Sequence, residues 1–146
     1  MKFRLKPGYY TALLLLLSSC STRVSPLQYN RDNCEYCKMK LVDEKFGAEL
    51  ITVKGKTMKF DDAGCMLNLE KESLGADQIQ EEWVADYMHP GNLIRAFAAV
   101  FLKDSLLKSP MGSNLAAFDA SRNDIPAHHS ASERITWTEV KKTVKK

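Results

Sequence analysis

The chain has 146 residues, of which 45% are hydrophobic and 27% are charged, and its formal net charge is +3. The first 19 residues carry three positive and no negative charges, so the net charge of the remaining 127 residues is 0. That length suits one ordinary domain. A nucleic-acid binder needs a basic face, and the neutral remainder argues against such a partner.

The N-terminus has the pattern of a bacterial export signal. An apolar run at 13–17 is far shorter than the roughly 20 residues of a membrane span. It follows three basic residues, Lys2, Arg4 and Lys6. The run ends in Leu17-Ser18-Ser19-Cys20, which resembles the lipobox of bacterial lipoproteins. That resemblance implies a signal peptide at 1–19, a lipid on Cys20, and a protein anchored to a membrane of the cell envelope and facing the periplasm. The serine after Cys20 would permit sorting to the outer membrane, and residues 20–32 are expected to form a polar tether.

Residues 33–90 predict two strands, a helix and a third strand. A tight turn at Gly55 joins the first two strands into a hairpin. Asp61 and Asp62 can cap a helix, which Gly75 ends. The predicted strands lie at 48–53, 57–60 and 82–87.

Residues 91–146 repeat some of these features. The stretch 98–102 is strand-like, 118–120 resembles the Phe-Asp segment at 60–62, and 135–137 predicts a last strand. We therefore predict an α+β fold of two small ββαβ-type units with mixed or antiparallel sheets, joined near residues 88–97.

Three cysteines remain once Cys20 is assigned to the lipid: Cys34, Cys37 and Cys65. An oxidising compartment favours disulfides, but an odd number leaves at least one thiol that is unpaired or binds a ligand. Cys65 lies beside Met66 in the predicted helix, and we expect it to be a buried, small apolar residue.

The spacing of Cys34 and Cys37 admits several chemistries. Covalent haem attachment needs a histidine after the second cysteine, where this chain has Lys38. Structural zinc usually takes four ligands from two such pairs, and the chain has one pair. A structural disulfide and a redox pair stay open, although a thioredoxin-like pair would follow a strand. Copper is favoured, because Cu(I) prefers thiolate and thioether ligands and Met39 adds a third soft sulfur within six residues.

A further soft donor is Met111, which lies between Pro110 and Gly112 in a predicted loop. A methionine that fills a gap in the core is the alternative. The chain shows no acid–base pair and no phosphate-binding glycine loop, so we predict no enzyme. His128 and His129 are expected to have a solvated or helix-surface role, and Met88 and His89 are expected to pack on the sheet at the end of a strand.

Six segments of the chain together resemble NosL, the family of copper-binding accessory lipoproteins of nitrous-oxide reductase. Their order and spacing are more specific than any single segment, and the resemblance covers essentially the whole mature chain. The segments that carry it are the lipobox at Cys20 and the stretches 34–41, 60–62, 85–87, 109–113 and 115–118.

The resemblance implies a monomeric Cu(I) metallochaperone of the envelope, with two ββαβ-type units. Its implied partners are copper donor proteins and a copper-receiving reductase, and its implied ligands are Cys34, Cys37, Met39 and Met111. Residues 130–133 depart from the glycine pair that the family often has there, which leaves the last turn open. The alternative function is a thiol–disulfide redox protein that uses Cys34 and Cys37.

Overall fold

The computed structural model describes residues 24–122, 124–129 and 132–144. The predicted signal peptide and Cys20 lie outside this part of the chain. The described residues form an α+β fold with two antiparallel sheets and two α-helices, which confirms the predicted class. No helix in the described part is long and apolar enough to cross a membrane.

The first sheet has four antiparallel strands in the order β2-β1-β3-β4. The predicted hairpin is confirmed: Gly55 has a φ of 80°, which glycine adopts without strain, and its N–H donates to the Thr52 carbonyl. The fourth strand extends the sheet past residue 90. The strands are β1 (Ala48–Thr52), β2 (Thr57–Phe60), β3 (Ile79–Ala85) and β4 (Leu93–Arg95).

Helix α1 (Ala63–Ser73) follows β2 directly. Asp62 is its N-cap, and the carboxylate accepts the Cys65 N–H at 2.9 Å, as the sequence predicted. Asp61 has a different role, because its carboxylate accepts the Val42 N–H at 3.0 Å and so holds the preceding loop.

The second sheet has three antiparallel strands in the order β6-β5-β7, which are β5 (Ala99–Lys103), β6 (Leu115–Asp119) and β7 (Arg134–Thr136). The order of elements here differs from the predicted ββαβ unit, because helix α2 (Trp137–Val144) follows the third strand. After β6, Asp119 accepts the N–H of Ser121 at 2.9 Å. This local turn reverses the chain after β6. At the corresponding place in the first unit, after β2, Asp62 begins helix α1 instead.

The larger of the two hydrophobic clusters in the described residues joins both sheets. It joins Leu50 and Phe60 of the first sheet to Phe101 of the second, and Trp137 of α2 stacks on Phe101 with a centroid distance of 5.0 Å. The sheets also meet just past the end of β3, where the Tyr87 N–H donates to the Ala117 carbonyl of β6. The two units therefore form one packed body that can build a site from both.

The described part of the predicted tether, residues 24–32, packs on the first sheet. Leu27 and Tyr29 lie against the core, and the Ser25 N–H donates to the buried carboxylate of Glu49 at 2.9 Å. The tether prediction is wrong for this segment, because it packs on the core, and the side chains of Leu27 and Tyr29 lie close against the backbone at Gly47.

The raised pKa of Glu70 should make the stability of the protein depend on pH. Burial and the neighbouring carboxylate of Glu82 raise the pKa of Glu70 from 4.5 to about 7, although Lys141 of α2 lies 3.0 Å from it. Because the folded protein then binds this proton more tightly than the unfolded chain, the free energy of unfolding falls as pH rises from about 4.5 to about 7. The loss should be on the order of 1–3 kcal/mol.

Glu70→Gln should remove this loss, so the variant should gain in melting temperature relative to wild type between pH 5 and pH 8. Glu133→Gln is the matched control, since Glu133 is exposed. Parallel melting curves of Glu70→Gln and wild type across that interval would contradict the assignment.

Candidate metal site

The first two cysteines lie in one tight turn. The Lys38 N–H donates to the Cys34 carbonyl at 3.0 Å, and the Cys34 N–H donates to the Met39 carbonyl at 2.7 Å. Lys38 ends the turn in the left-handed region, with a φ of 65°. Residues three apart in a single helical turn share a side, so Cys34 and Cys37 point the same way.

Hydrogen bonds attach this turn to the first sheet. The Glu35 N–H donates to the Lys59 carbonyl of β2 at 2.8 Å, and Asn33 and Lys40 pair across the base of the turn. Since only two residues separate the end of β2 from the start of α1, the turn lies beside the first residues of that helix.

Cys65 completes a cluster of three thiols. The Sγ atoms of Cys34, Cys37 and Cys65 all lie within 4.8 Å of one another, and all three are free thiols. Cys34 and Cys65 are each 1% exposed, whereas Cys37 is partly exposed. The expected burial of Cys65 is therefore correct, but sequence reasoning missed its place beside the cysteine pair.

The local hydrogen bonds favour one thiolate in this cluster. The Cys65 thiol and the backbone N–H groups of Asp61, Cys37 and Tyr36 hold the pKa of Cys34 at about 5 despite its burial. Donation to Cys34, together with burial, raises the pKa of the Cys65 thiol, and burial raises the pKa of the Cys37 thiol. The cluster thus presents a thiolate and two protonated thiols, whose protons a bound soft cation would displace.

Met111 reaches the same region from the second sheet. It lies in the β5–β6 loop, where the Gly112 N–H donates to the Ser109 carbonyl at 3.0 Å. Its side chain is 40% exposed and lines a groove of about 340 Å³ that Cys65 and Tyr36 also line. Met39 lies next to the cysteine turn, and its side chain is 52% exposed.

The histidines lie in other surroundings. His129 is buried, which makes its predicted surface role wrong, and its Nδ1 lies 3.3 Å from Asp104 Oδ2. His128 is exposed, as expected. His89 Nδ1 lies 2.9 Å from the buried carboxylate of Asp86, and Met88 is 37% exposed instead of packed on the sheet. Among the described residues, the ligand atoms that converge as a metal-binding group are the three cysteine sulfurs.

A signal for Cys65 was present in the sequence. It lies three residues after Asp62, which is the third position of the helix that Asp62 caps. A side chain at that position stays close to the end of β2, where the cysteine turn is attached. An unpaired third cysteine close to the turn that holds Cys34 and Cys37 indicates one site that all three cysteines share.

The fold and the thiol cluster together define a small α+β protein with a three-cysteine site near a methionine loop. The family model of NosL matches residues 27–132. The chain therefore belongs to the NosL family, which confirms the resemblance seen in the sequence.

A solved structure shows the same fold. It is the crystal structure of the copper chaperone NosL from Shewanella denitrificans, with 19% identity and a TM-score of 0.67. The match covers 82% of this chain and 96% of that chain. No curated protein matches this chain.

Proposed function

We propose that this protein is a Cu(I) carrier, a binding protein without turnover. The observation that carries the proposal is the convergence of three cysteine sulfurs within 4.8 Å. Cu(I) is a soft ion that prefers thiolate and thioether ligands and accepts few of them. Membership of the NosL family and the fold shared with a protein described as a copper chaperone support this cargo.

Cys34 is the principal ligand of the proposed site, because its lowered pKa makes it a thiolate before the metal arrives. Cys37 and Cys65 complete the buried side. Met111 adds a neutral thioether from the groove, and Met39 is a candidate donor at the exposed side. A neutral donor at the exposed side can be released first when the ion passes to a partner.

The direct test is a titration of the reduced protein with Cu(I) against a competing chelator. We expect one Cu(I) per chain, and a size-exclusion profile of a monomer before and after loading. Zn²⁺ in the same assay should compete poorly, because Cu(I) is the softer ion and the thioethers that complete this site are not usual ligands of zinc. Binding of zinc in preference to Cu(I) would contradict the proposal.

Replacing Met111 separates a copper ligand from a core methionine. Met111→Ala should weaken Cu(I) binding by about tenfold, which corresponds to ~1.4 kcal/mol. Because the side chain is 40% exposed, the free energy of unfolding should change by about 0.5 kcal/mol or less. Affinity and melting temperature should be measured on the same sample, with Met88→Ala as a control methionine of similar exposure. Unchanged affinity in the folded variant would remove Met111 from the site.

The client of the proposed carrier is the copper-sulfide centre of nitrous-oxide reductase, with copper donor proteins of the envelope upstream. This step rests on the family resemblance. A strain that lacks the protein should yield reductase deficient in that centre, and the Cys34→Ser protein should fail to restore it. A fully loaded reductase in the deletion strain would contradict this client.

The proposed location is the cell envelope, with a lipid on Cys20 as the anchor. Cys20→Ser should move the protein out of the membrane fraction or leave its signal peptide uncleaved. Blotting of fractionated cells tests this expectation. A variant that fractionates and migrates like wild type would contradict the anchor.

A thiol–disulfide redox protein is the second candidate, and the thiolate character of Cys34 favours it. Its disulfide partner would be Cys37 or Cys65, both of which lie within reach of Cys34. The two functions differ in their use of methionine. Disulfide exchange with a small thiol should not change in Met39→Ala or Met111→Ala, whereas Cu(I) affinity should fall.

A further inference from the structure

One carboxylate joins the cysteine side of the groove to the methionine side. Asp62 is fully buried, and its Oδ1 accepts the Cys65 N–H at 2.9 Å. Its Oδ2 accepts the hydroxyls of Ser109 and Ser113 at 2.8 and 2.9 Å. Ser109 and Ser113 belong to the β5–β6 loop of the second sheet, so these bonds connect residues 47 and 51 positions apart.

The two serines flank Met111 on either side. Between them the chain forms a turn that the Gly112 N–H closes on the Ser109 carbonyl, and the Asn114 N–H donates to Ser109 Oγ at 3.0 Å. The loop also lies close to α1, because a Cβ atom at Gly64 would be 2.6 Å from Ser113 Cβ. The loop is thus bound to the start of the helix at both ends of its turn.

Capping of the helix accounts for only half of this arrangement. A cap needs one side-chain oxygen for the N–H at the third helical position, and Asp62 Oδ1 serves that purpose. The second oxygen is buried and accepts two hydroxyls from another sheet, which is the arrangement that stabilises a carboxylate away from water. The helix does not require those bonds, whereas the position of Met111 relative to Cys65 depends on them.

We propose that Asp62 is a positioning residue of the metal site, which holds the Met111 thioether at the groove by binding Ser109 and Ser113. This inference rests on the proposed Cu(I) cargo and on Met111 as a ligand. Asp62 fixes Cys65 through the helix cap and Met111 through the loop, so one carboxylate sets the separation of the two sulfurs. The chain can then preorganise a ligand that is 46 residues from Cys65 without burying its side chain in the core.

The test is a double-mutant cycle between the serine pair and Met111. The variant Ser109→Ala/Ser113→Ala removes both hydroxyls but leaves the helix cap and all three cysteines in place. It should weaken Cu(I) binding by about tenfold when Met111 is present. Combined with Met111→Ala, it should change the affinity by about twofold or less, because Asp62 then has no thioether to position. Ser105→Ala is the matched control, since Ser105 is an exposed serine of the same loop.

Hydrogen exchange of the copper-free protein provides a second readout. The Gly112 amide should exchange faster in the serine-pair variant, although its acceptor, the Ser109 carbonyl, is retained. The amides inside α1 should exchange as in wild type. An unchanged rate at Gly112 would overturn the positioning role.

The cycle also separates this inference from the proposed function. If the serine-pair substitution lowers the Cu(I) affinity equally with and without Met111, its effect is a general one on the fold and the role of Asp62 is overturned. A Cu(I) affinity that the serine-pair substitution leaves unchanged would also overturn that role. If Cu(I) binds tightly but Met111→Ala has no effect, the positioning role fails while the cargo proposal stands. A wild type that binds no Cu(I) overturns both.

Discussion

Cys34→Ser should lower the affinity for Cu(I) by at least ~100-fold, since loss of an outer-shell partner of a metal site alone costs about 10–100-fold. Cys34 is the cysteine with the lowered pKa, and its sulfur accepts three backbone N–H groups as well as the Cys65 thiol. A serine hydroxyl can accept the same donors, so the turn should keep its shape. The hard serine oxygen is a poor ligand for a soft ion, so the substitution should weaken Cu(I) binding while the turn keeps its shape.

Competition against a chelator measures this loss, and circular dichroism checks that the variant is folded. Ser105→Ala is again the control, because it leaves every sulfur ligand of the proposed site in place. A folded Cys34→Ser protein that keeps wild-type affinity would mean that Cys34 does not bind the ion.

Cys65→Ala should lower the Cu(I) affinity by about tenfold or more and also change the chemistry of Cys34. Alanine favours the helix and leaves the Asp62 cap in place, because the cap uses the backbone N–H of residue 65. Without the donated hydrogen bond from Cys65, the pKa of Cys34 should rise from about 5 towards its ordinary value. The variant should therefore change two independent measurements, of which the Cu(I) affinity reports ligation by Cys65 and the pKa of Cys34 reports its hydrogen bond.

The rate of alkylation of Cys34 against pH reports its pKa, and Cys37→Ser should be introduced in both proteins so that one reactive thiol is followed. We expect the midpoint to move to higher pH in the Cys65→Ala background. An unchanged midpoint together with unchanged Cu(I) affinity would exclude Cys65 from the site.

The elements that the sequence predicted well are those with local signals. The hairpin around Gly55 and the helix that starts at Asp62 depend on turn and cap residues within a few positions. The last helix was missed although its signal is also local. Thr136 and Glu139 form a capping box, in which the Thr136 N–H donates to the Glu139 carboxylate at 2.7 Å. The sequence predicts a strand through Trp137 because 135–137 resembles the strand around Trp83, whereas β7 ends at Thr136.

The metal site was predictable only in part, because only some of its residues are brought together by local sequence signals. Cys34 and Cys37 are neighbours in sequence, and a single turn brings them together. The approach of Cys65 depends on the attachment of that turn to β2, through the bond from Glu35 to Lys59. The approach of Met111 depends on the contact of the β5–β6 loop with the start of α1. Contacts between separate elements leave no periodic trace in one sequence.

X-ray absorption at the copper edge of the one-to-one Cu(I) complex tests the central claim most directly, because it reports which atoms surround the ion. A nearest shell made of sulfur, which loses sulfur in Cys34→Ser and in Cys65→Ala, is the expected result. A shell dominated by nitrogen or oxygen, or a sulfur shell that is the same in wild type and both variants, would contradict a copper site built from these cysteines.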